Sequence, residues 1–358
     1  MTEKVVLVIG TGTIGEPLIT LLSKFRGPLG IDDVYFLKSQ ALLNDKSKVK
    51  ELLKSGAKLC VTSRKKFVDF TNLGIEPSCT VNEALQKASV VIDCTPTGQG
   101  VNNKETLYEI YSEVYAQNIC GFIAQGTESR FGKPYAYSIN DDVITSDDRF
   151  IQVVGCNTHN IACLLKTLAF EDNKSMLNYG NFVCIRRSGD VSEPGMVASP
   201  TLMRHDDDKF GTYHARNVHR LFKTMGEDIR VFSSAIQIPS QYMHIIQFHI
   251  ELTEETSLQG VIHKLQSNPL IAITEKLDTG TVVAFARDHS PIYGRLLNQA
   301  IIPLSTLFVE GNKIVGYSYT SQDGNSLLSS TAAIERFLYP DSYREKTKCL
   351  LELVFREV

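Results

Sequence analysis

The sequence lacks the features of a membrane protein or a secreted protein. It has no stretch of 18 consecutive apolar residues, so we expect no membrane-spanning helix. Its first residues, MTEKVVLVIG, run straight into an apolar segment and do not have the architecture of a signal peptide. Because cytoplasmic thiols stay reduced, we expect the 8 cysteines to be free thiols in a cytoplasmic protein.

The sequence also lacks cysteines at the spacing of a metal site, and it has no excess of positive charge. The cysteines form no CxxC pair and match no zinc pattern, so we expect no metal. The net charge is −3 and no basic arm or stripe is present, which predicts that the protein does not bind nucleic acid. At 358 residues, of which 43% are hydrophobic, we expect a globular protein with two domains.

The clearest motif lies near the N-terminus. Residues 5–9 are all apolar, which is typical of a central strand in a parallel sheet covered on both faces. They lead into GTGTIG, which fits G-x-G-x-x-G, and a segment with helical periodicity follows. A glycine turn without a ligand is the alternative, but this context predicts a dinucleotide site in a Rossmann doubly wound parallel sheet of the α/β class. Its predicted contacts are Gly10, Gly12, Thr13, Ile14 and Gly15.

The acid that usually binds the ribose of NAD is absent from the end of the second predicted strand, residues 34–37. Lys38 follows this strand, whereas Asp32 and Asp33 precede it and lie at its wrong end. A cation suits the 2′-phosphate of NADP, so we expect NADP or NAD as cofactor, with NADP slightly favoured and Lys38 as the candidate phosphate ligand. A solvated surface lysine is the equally weighted alternative.

Two later apolar strands, residues 90–94 and 121–124, end in the polar glycine-bearing turns TPTGQG and QGTE. The carboxyl ends of parallel strands meet at one edge of the sheet, where ligands bind. We therefore expect the cofactor site to include Thr95, Pro96, Gln125 and Gly126.

Cys156 follows a predicted strand at residues 150–154 and the turn residue Gly155, and apolar residues at helical spacing come after it. The first turn of a helix has unpaired N–H groups and the positive end of the macrodipole, and both favour a thiolate. We therefore predict that Cys156 is a nucleophile, with a buried structural thiol as the alternative.

Three segments of the second half carry further polar candidates. Residues 179–187 predict a strand ending in Arg186 and Arg187, which suit bidentate phosphate contacts or a surface ion pair. Residues 204–220 carry three histidines, which we interpret as a mobile anion-binding loop rather than a metal site. Residues 242–252 alternate as in a half-buried strand of a mostly antiparallel sheet, and His244 heads its apolar face. This histidine is either a general base or hydrogen-bonded at the rim of the core.

In this order the motifs resemble those of archaeal-type (type II) glyceraldehyde-3-phosphate dehydrogenases. The matching segments cover nearly the whole chain and comprise GTIG (12–15), TPTGQG (95–100), QGTE (125–128), CNT (156–158), the RR pair (186–187) with Asp190, the MH pair (243–244) and Gln322. The resemblance implies a homotetramer, an aldehyde-phosphate substrate and inorganic phosphate. It also implies a catalytic domain at 155–321 with an α+β fold, and a dinucleotide-binding domain at 1–154 and 322–358.

The resemblance further implies a reversible, phosphorylating oxidation of glyceraldehyde 3-phosphate to 1,3-bisphosphoglycerate. Cys156 attacks the aldehyde, His244 takes the hydroxyl proton as hydride passes to NAD(P), and phosphate releases the thioester. Asn157 helps to hold the oxyanion. The implied substrate contacts are Gly155, Cys156, Asn157, Arg186, Tyr213 and His214, and the further cofactor contacts are Arg187, Asp190 and Gln322.

The chain departs from the family where phosphate is held. The family's SHHG segment corresponds to Thr212-Tyr213-His214-Ala215, which keeps the second histidine, and residues 192–211 fit poorly. The alternatives are therefore a diverged dehydrogenase acting on another acyl phosphate or semialdehyde, and a non-catalytic NADP-binding protein that senses redox state through Cys156.

Overall fold

The computed structural model describes residues 3–115, 118–172, 174–189, 197–321 and 324–358. The chain forms two compact units. The first unit consists of Met1–Tyr135, Ile144–Val153 and Leu327–Leu351. The second unit consists of Ala136–Val143, Val154–Ser326 and Glu352–Val358.

The first unit is built on a parallel sheet of 8 strands. The central strands are short apolar runs that are buried along their whole length, as expected where helices cover both faces. The strands are β1 (Val5–Ile9), β2 (Asp33–Leu37), β3 (Lys58–Val61), β4 (Cys79–Thr80), β5 (Val90–Asp93), β6 (Gly121–Gln125), β7 (Lys133–Tyr135) and β8 (Phe150–Val153).

The connections between these strands are mainly helical. Thr80 and Glu83 form the capping box that their spacing predicts at the start of the fourth helix. The helices are α1 (Gly15–Leu29), α2 (Lys46–Lys54), α3 (Arg64–Thr71), α4 (Val81–Lys87), α5 (Gln99–Asn103) and α6 (Glu109–Val114), with a 3₁₀ turn at Leu43–Asp45 and a π-helical turn at Lys104–Tyr108.

The sheet order is β4-β3-β2-β1-β5-β6-β8-β7. Since β2 lies on one side of β1 and β5 on the other, the connectivity changes direction between β1 and β5. In doubly wound sheets, ligands bind beyond the carboxyl ends of the strands at such a switch point. The glycine turn after β1 and the turn after β5 both lie there.

The second unit contains most of the remaining elements. In chain order these are α7 (Cys156–Leu168), β9 (Phe170–Glu171), β10 (Lys174–Ser175), β11 (Leu177–Arg187), β12 (Thr201–Leu202), α8 (Tyr213–Lys223), β13 (Val231–Ile238), β14 (His244–Leu252), α9 (Leu258–Ser267), β15 (Ile271–Thr274), α10 (Thr279–His289), β16 (Ala300–Pro303), β17 (Phe308–Glu310) and β18 (Lys313–Thr320). Helices α11 (Asn325–Leu338) and α12 (Tyr343–Leu351) follow, and their residues from Leu327 to Leu351 belong to the first unit. Among the described helices, none has both the length and the apolar character needed to cross a membrane.

The sheet of the second unit has the order β12-β13-β11-β14-β18-β16-β15, with β17 also paired to β18. The β11–β13 and β15–β16 pairs are parallel, and the other pairs are antiparallel. A parallel Rossmann-type sheet together with a mostly antiparallel sheet confirms the predicted fold class.

Helix α7 lies in the core of the second unit. Its apolar residues pack in one cluster with the inward side chains of β11 and β14, including Phe182 and Phe248. Asn160 of this helix is fully buried and donates hydrogen bonds to the Ser318 hydroxyl, the Tyr319 carbonyl and the Thr320 hydroxyl of β18. Unpaired amide groups are costly in a core, so these bonds fix the orientation of α7 on the sheet.

Two local predictions are wrong. Residues 204–220 are not simply a loop, because α8 begins at Tyr213; Ala215, Val218, Leu221 and Phe222 are buried at helical spacing beneath a charged outer face. The mostly apolar run at residues 301–307 also predicts a single strand, but β16 ends at Pro303, and a 3₁₀ turn at Leu304–Thr306 redirects the chain into β17. By contrast, β14 alternates buried and half-buried residues as predicted, with His244 on its buried face.

Candidate active site

The glycine turn after β1 has the geometry of a dinucleotide site. Gly10 has φ +98°, and a Cβ on it would lie 2.9 Å from the Cys94 carbonyl oxygen. A Cβ on Gly15 would lie 2.2 Å from the Gly10 carbonyl oxygen, so this position needs glycine too. Gly12 is exposed, and no described atom lies within 4 Å of a Cβ built there. The turn is therefore closed against the sheet and open towards a ligand at Gly12.

The start of α1 provides N–H groups at this opening. Ile14 occupies the N-cap position, and in the described part of the chain it makes no side-chain capping hydrogen bond. Thr13 and Ile14 are half-buried, and the intrahelical bonds begin with Glu16 donating to the Gly12 carbonyl. Unpaired N–H groups and the helix dipole suit a pyrophosphate. These residues fit a bound NAD or NADP.

Lys38 lies next to an acid and a second cation. Its ammonium group is 2.5 Å from the Asp45 carboxylate, and only 16% of its side chain is exposed. Lys48 lies 3.8 Å from the same carboxylate and 3.4 Å from the Thr11 carbonyl oxygen of the glycine turn. Lys38 is therefore not a solvated surface lysine, and an acid is present beside it after all.

The turns after β1, β5 and β6 are linked to one another. A Cβ on Gly10 would lie 3.3 Å from the Thr95 backbone nitrogen, and Glu128 accepts hydrogen bonds from the backbone of Gly98 and Val101. Pro96 is exposed beside them. Gln125 donates to the Ser330 hydroxyl, and Gly126 has φ +80°. The first unit thus brings the predicted turns together at one sheet edge.

Cys156 is the first residue of α7, as predicted from its strand–turn–helix context. Gly155 is the N-cap in extended conformation, and Cys156 is half-buried. The buried Asn325 donates a 2.9 Å hydrogen bond to the Cys156 carbonyl. Asn157 is also buried, and its Oδ1 has no hydrogen-bond partner among the described residues. The thiol therefore sits at an N-terminal helix end whose backbone is fixed by a side chain from α11.

His244 is 4% exposed at the start of β14. The backbone N–H of Arg187 donates a 3.0 Å hydrogen bond to its Nδ1. Burial, and then the charges of Arg187, Arg186 and His214, lower the pKa of His244 well below its usual value. The imidazole is therefore neutral near pH 7. Since Nδ1 accepts a hydrogen bond, the single N–H hydrogen of the ring is on Nε2.

The candidate phosphate residues carry buried polar atoms that lack partners. Within the described residues, the buried Nε of Arg186 and the buried Nε2 of His214 have no hydrogen-bond partner. The ring of His214 stacks on the ring of Tyr213, with 4.0 Å between the ring centroids. The Nδ1 of His214 lies 3.0 Å from the Thr212 hydroxyl. Burial, and then the charge of Arg186, lower the pKa of His214 to about 3. The start of α8 adds its own N–H groups.

These side chains of the second unit lie within electrostatic reach of one another. Tyr213 interacts with the charges of Arg186 and Cys156, and His244 with those of the two arginines and His214. Arg187 is buried, and its guanidinium donates to the Gln241 carbonyl. Asp190 and Gln322 lie outside the described residues, so their predicted cofactor roles stay predictions. In the described ranges no three His, Cys, Asp or Glu side chains are placed to hold a metal.

Sequence reasoning missed three residues of this arrangement. Asn325 contacts Cys156 from a helix 169 positions away in the chain, and no local pattern signals that contact. Asp45 and Lys48 follow the second strand at a distance, in and after a 3₁₀ turn. A search for an acid that considers only the residue directly after the strand therefore misses Asp45 and Lys48.

Curated relatives match the chain along much of its length, whereas no family model matches it. Glyceraldehyde-3-phosphate dehydrogenase from Methanobrevibacter smithii is 26% identical over 353 residues, which is 96% of each chain. The proteins of the same name from Sulfolobus acidocaldarius and Archaeoglobus fulgidus are 25% and 27% identical over 73% and 68% of each chain. The predicted family resemblance is confirmed. With it, the prediction of an enzyme of this dehydrogenase type is confirmed as well.

The buried histidines predict that the protein loses stability in acid. Burial lowers the pKa of His159 to about 4, and the ring contacts the Gly155 carbonyl at 3.1 Å. An unfolded histidine titrates near pH 6.5, so below that value the unfolded chain binds the extra proton and the free energy of unfolding falls. For His159→Gln, we expect the loss of unfolding free energy between pH 7.5 and pH 4.5 to be smaller than in the wild type by about 2 kcal/mol.

Urea unfolding at the two pH values measures this difference. The matched control is His263→Gln, since His263 is exposed, and it should keep the wild-type pH dependence. Equal losses in the wild type and in His159→Gln would contradict the account.

Proposed function

We propose that the protein catalyses the reversible, phosphorylating oxidation of glyceraldehyde 3-phosphate to 1,3-bisphosphoglycerate with NAD or NADP. The observation that carries this proposal is the cluster in the second unit: Tyr213 interacts with Arg186 and with the helix-start Cys156, and the neutral His244 interacts with Arg186, Arg187 and His214. Buried nitrogen atoms of Arg186 and His214 lack partners among the described residues. A thiol nucleophile, a hydrogen-bond donor for the oxyanion and an anion site suit the thioester-forming oxidation of an aldehyde phosphate.

The reaction begins at Cys156. Its thiolate attacks the aldehyde carbon, and the carbonyl oxygen becomes an oxyanion on a tetrahedral hemithioacetal. The N–H groups at the start of α7 stabilise both the thiolate and the oxyanion. Asn325 holds the Cys156 carbonyl, so the first turn of α7 keeps its orientation during the attack.

The geometry of His244 favours a hydrogen-bond donor over the base expected from sequence. Its Nδ1 lone pair already accepts the Arg187 N–H, which leaves Nε2–H to donate to the substrate oxygen. An oxyanion held in this way expels hydride directly as it collapses to the thioester. No base is needed for this step, because no hydroxyl proton has to be removed.

The substrate phosphate is assigned to Arg186, Tyr213 and His214. The free Nε of Arg186 and Nε2 of His214 are buried, and a phosphate oxygen would satisfy both. Inorganic phosphate then attacks the thioester carbon, which releases the acyl phosphate and regenerates the Cys156 thiolate. We assign Gly155 and Asn157 to the same substrate site.

The first unit is assigned the dinucleotide, whose nicotinamide ring accepts the hydride when it is bound. The glycine turn and the start of α1 hold its pyrophosphate. We propose that Thr95, Pro96, Gln125 and Gly126 line the same sheet edge, and that Arg187, Asp190 and Gln322 belong to the cofactor site. Lys38 and Lys48 favour a 2′-phosphate, whereas Asp45 favours ribose hydroxyls, so the protein should use both NADP and NAD.

We further propose a homotetramer in the cytoplasm, with a dinucleotide-binding domain at 1–154 and 322–358 and a catalytic domain at 155–321. The divergent segment 212–215 motivates a second candidate, a dehydrogenase acting on another acyl phosphate or semialdehyde through the same thioester chemistry. Turnover of other aldehydes but not of glyceraldehyde 3-phosphate would favour that candidate. Cofactor binding without turnover of any aldehyde would favour a redox-sensing protein.

The donor role of His244 predicts an asymmetry between two substitutions. His244→Gln keeps an amide donor and should retain the single-turnover rate of NADPH formation within about 10-fold, whereas His244→Ala should lose roughly 100-fold to 1,000-fold. Rapid-mixing absorbance at 340 nm measures both rates. Cys156→Ser should form no NADPH while binding the cofactor normally. Equal losses in His244→Gln and His244→Ala would contradict the donor role and favour a base.

The contacts of Lys38 predict its effect on cofactor selection. Lys38→Ala should weaken NADP binding by about 10-fold and change NAD binding little. The proposed partner of the Lys38 ammonium group is the 2′-phosphate, which NADP has and NAD lacks. Asp45→Asn should tighten NADP binding, since a carboxylate repels that phosphate. Calorimetric titration with each dinucleotide measures both effects, with Lys54→Ala, an exposed lysine of the same unit, as control. An unchanged ratio of the two affinities in Lys38→Ala would refute the assignment.

A further inference from the structure

Two cysteines of the first unit face each other at the edge of its parallel sheet. Cys60 in β3 and Cys79 in β4 are register partners in neighbouring parallel strands. Side chains at partner positions lie on the same face of a sheet, and neighbouring strands are about 4.8 Å apart. A disulfide spans Cα atoms that are about 4.4–6.8 Å apart. The backbone therefore already holds the two residues at a distance that a disulfide can bridge.

The two thiols are also chemically matched. The interaction between the two neighbouring thiols raises the pKa of Cys60 and lowers the pKa of Cys79. The charges of Lys87 and Arg64 lower it further, while burial and Glu83 act in the opposite direction. A thiolate is the nucleophile in thiol oxidation, so Cys79 is the thiol that reacts first and Cys60 the one that resolves the product.

The surroundings allow access and movement at Cys79. Cys60 is fully buried, whereas 7% of Cys79 is exposed, which is enough for a small oxidant. Strand β4 comprises two residues and lies at the end of the sheet order, so it has a strand neighbour on one side. A short edge strand of this kind can shift towards β3 more easily than a strand between two neighbours.

We propose that Cys60 and Cys79 are a redox-modification site that forms a reversible disulfide when the protein meets a hydroperoxide. The Cys79 thiolate attacks the peroxide O–O bond, which yields a sulfenic acid at Cys79 and releases hydroxide or alkoxide. The Cys60 thiol then attacks the sulfenic sulfur, forms the S–S bond and releases water. Two thiols are oxidised by two electrons and one peroxide is reduced. This site is separate from Cys156 and does not depend on the proposed catalytic activity.

Mass spectrometry of the full-length protein tests the proposal. The reduced protein is treated with hydrogen peroxide, its remaining thiols are alkylated, and it is digested with trypsin without reductant. Trypsin releases residues 59–64 and 67–87 as peptides with one cysteine each. We expect these two peptides to appear joined, with the loss of two hydrogens, and to separate when dithiothreitol is added.

Two variants sharpen the result. Cys79→Ser should give no joined peptide, whereas Cys120→Ser, which removes a half-buried thiol of the same unit, should give it at the wild-type level. The proposal is overturned if peptides 59–64 and 67–87 are both fully alkylated under conditions that oxidise Cys156. It is also overturned if Cys79 is oxidised to a sulfinic acid while Cys60 remains alkylated. Because the readout is covalent and not enzymatic, failure here is distinguishable from failure of the proposed function.

Discussion

The hydrogen bond from the Arg187 backbone to His244 Nδ1 is the interaction on which the chemistry that we propose for the second unit depends. It forms because β11 ends where β14 begins, with Ile185 and Ile245 as the adjacent register pair. It occupies one ring nitrogen, and the buried, positively charged surroundings keep the ring neutral. A neutral ring with an occupied Nδ1 has one remaining function, which is donation from Nε2.

The same surroundings account for the selectivity that we propose. Arg186 Nε and His214 Nε2 are buried nitrogen atoms that lack partners in the described structure, and leaving such atoms unpaired is costly. A dianionic phosphate satisfies them, whereas an uncharged aldehyde does not. The proposed phosphate site is therefore unfavourable when it is empty or holds an uncharged group. For this reason we expect it to select phosphorylated aldehydes over unphosphorylated ones.

The sequence predicts those parts of the structure that depend on local pattern. The apolar strand, glycine turn and helix at the N-terminus follow from residues that are adjacent in the chain, and the alternation of β14 follows from its period of two. Helix α8 was missed because its charged outer face hides the spacing of Ala215, Val218 and Leu221. Asn325 could not be found in this way, since its contact with Cys156 arises only when segments 169 residues apart pack together. Asp45 comes seven residues after Lys38, beyond the strand end at which an acid is expected, and a 3₁₀ turn brings it back to Lys38.

The central claim is that Cys156 forms a thioester with an aldehyde phosphate. Intact-protein and peptide mass spectrometry after mixing the enzyme with glyceraldehyde 3-phosphate and NADP, in the absence of inorganic phosphate, tests it most directly. The account predicts an acyl adduct on the tryptic peptide that contains Cys156, residues 150–166, and its loss when phosphate is added. No adduct, or an adduct that persists in Cys156→Ser, would contradict the account.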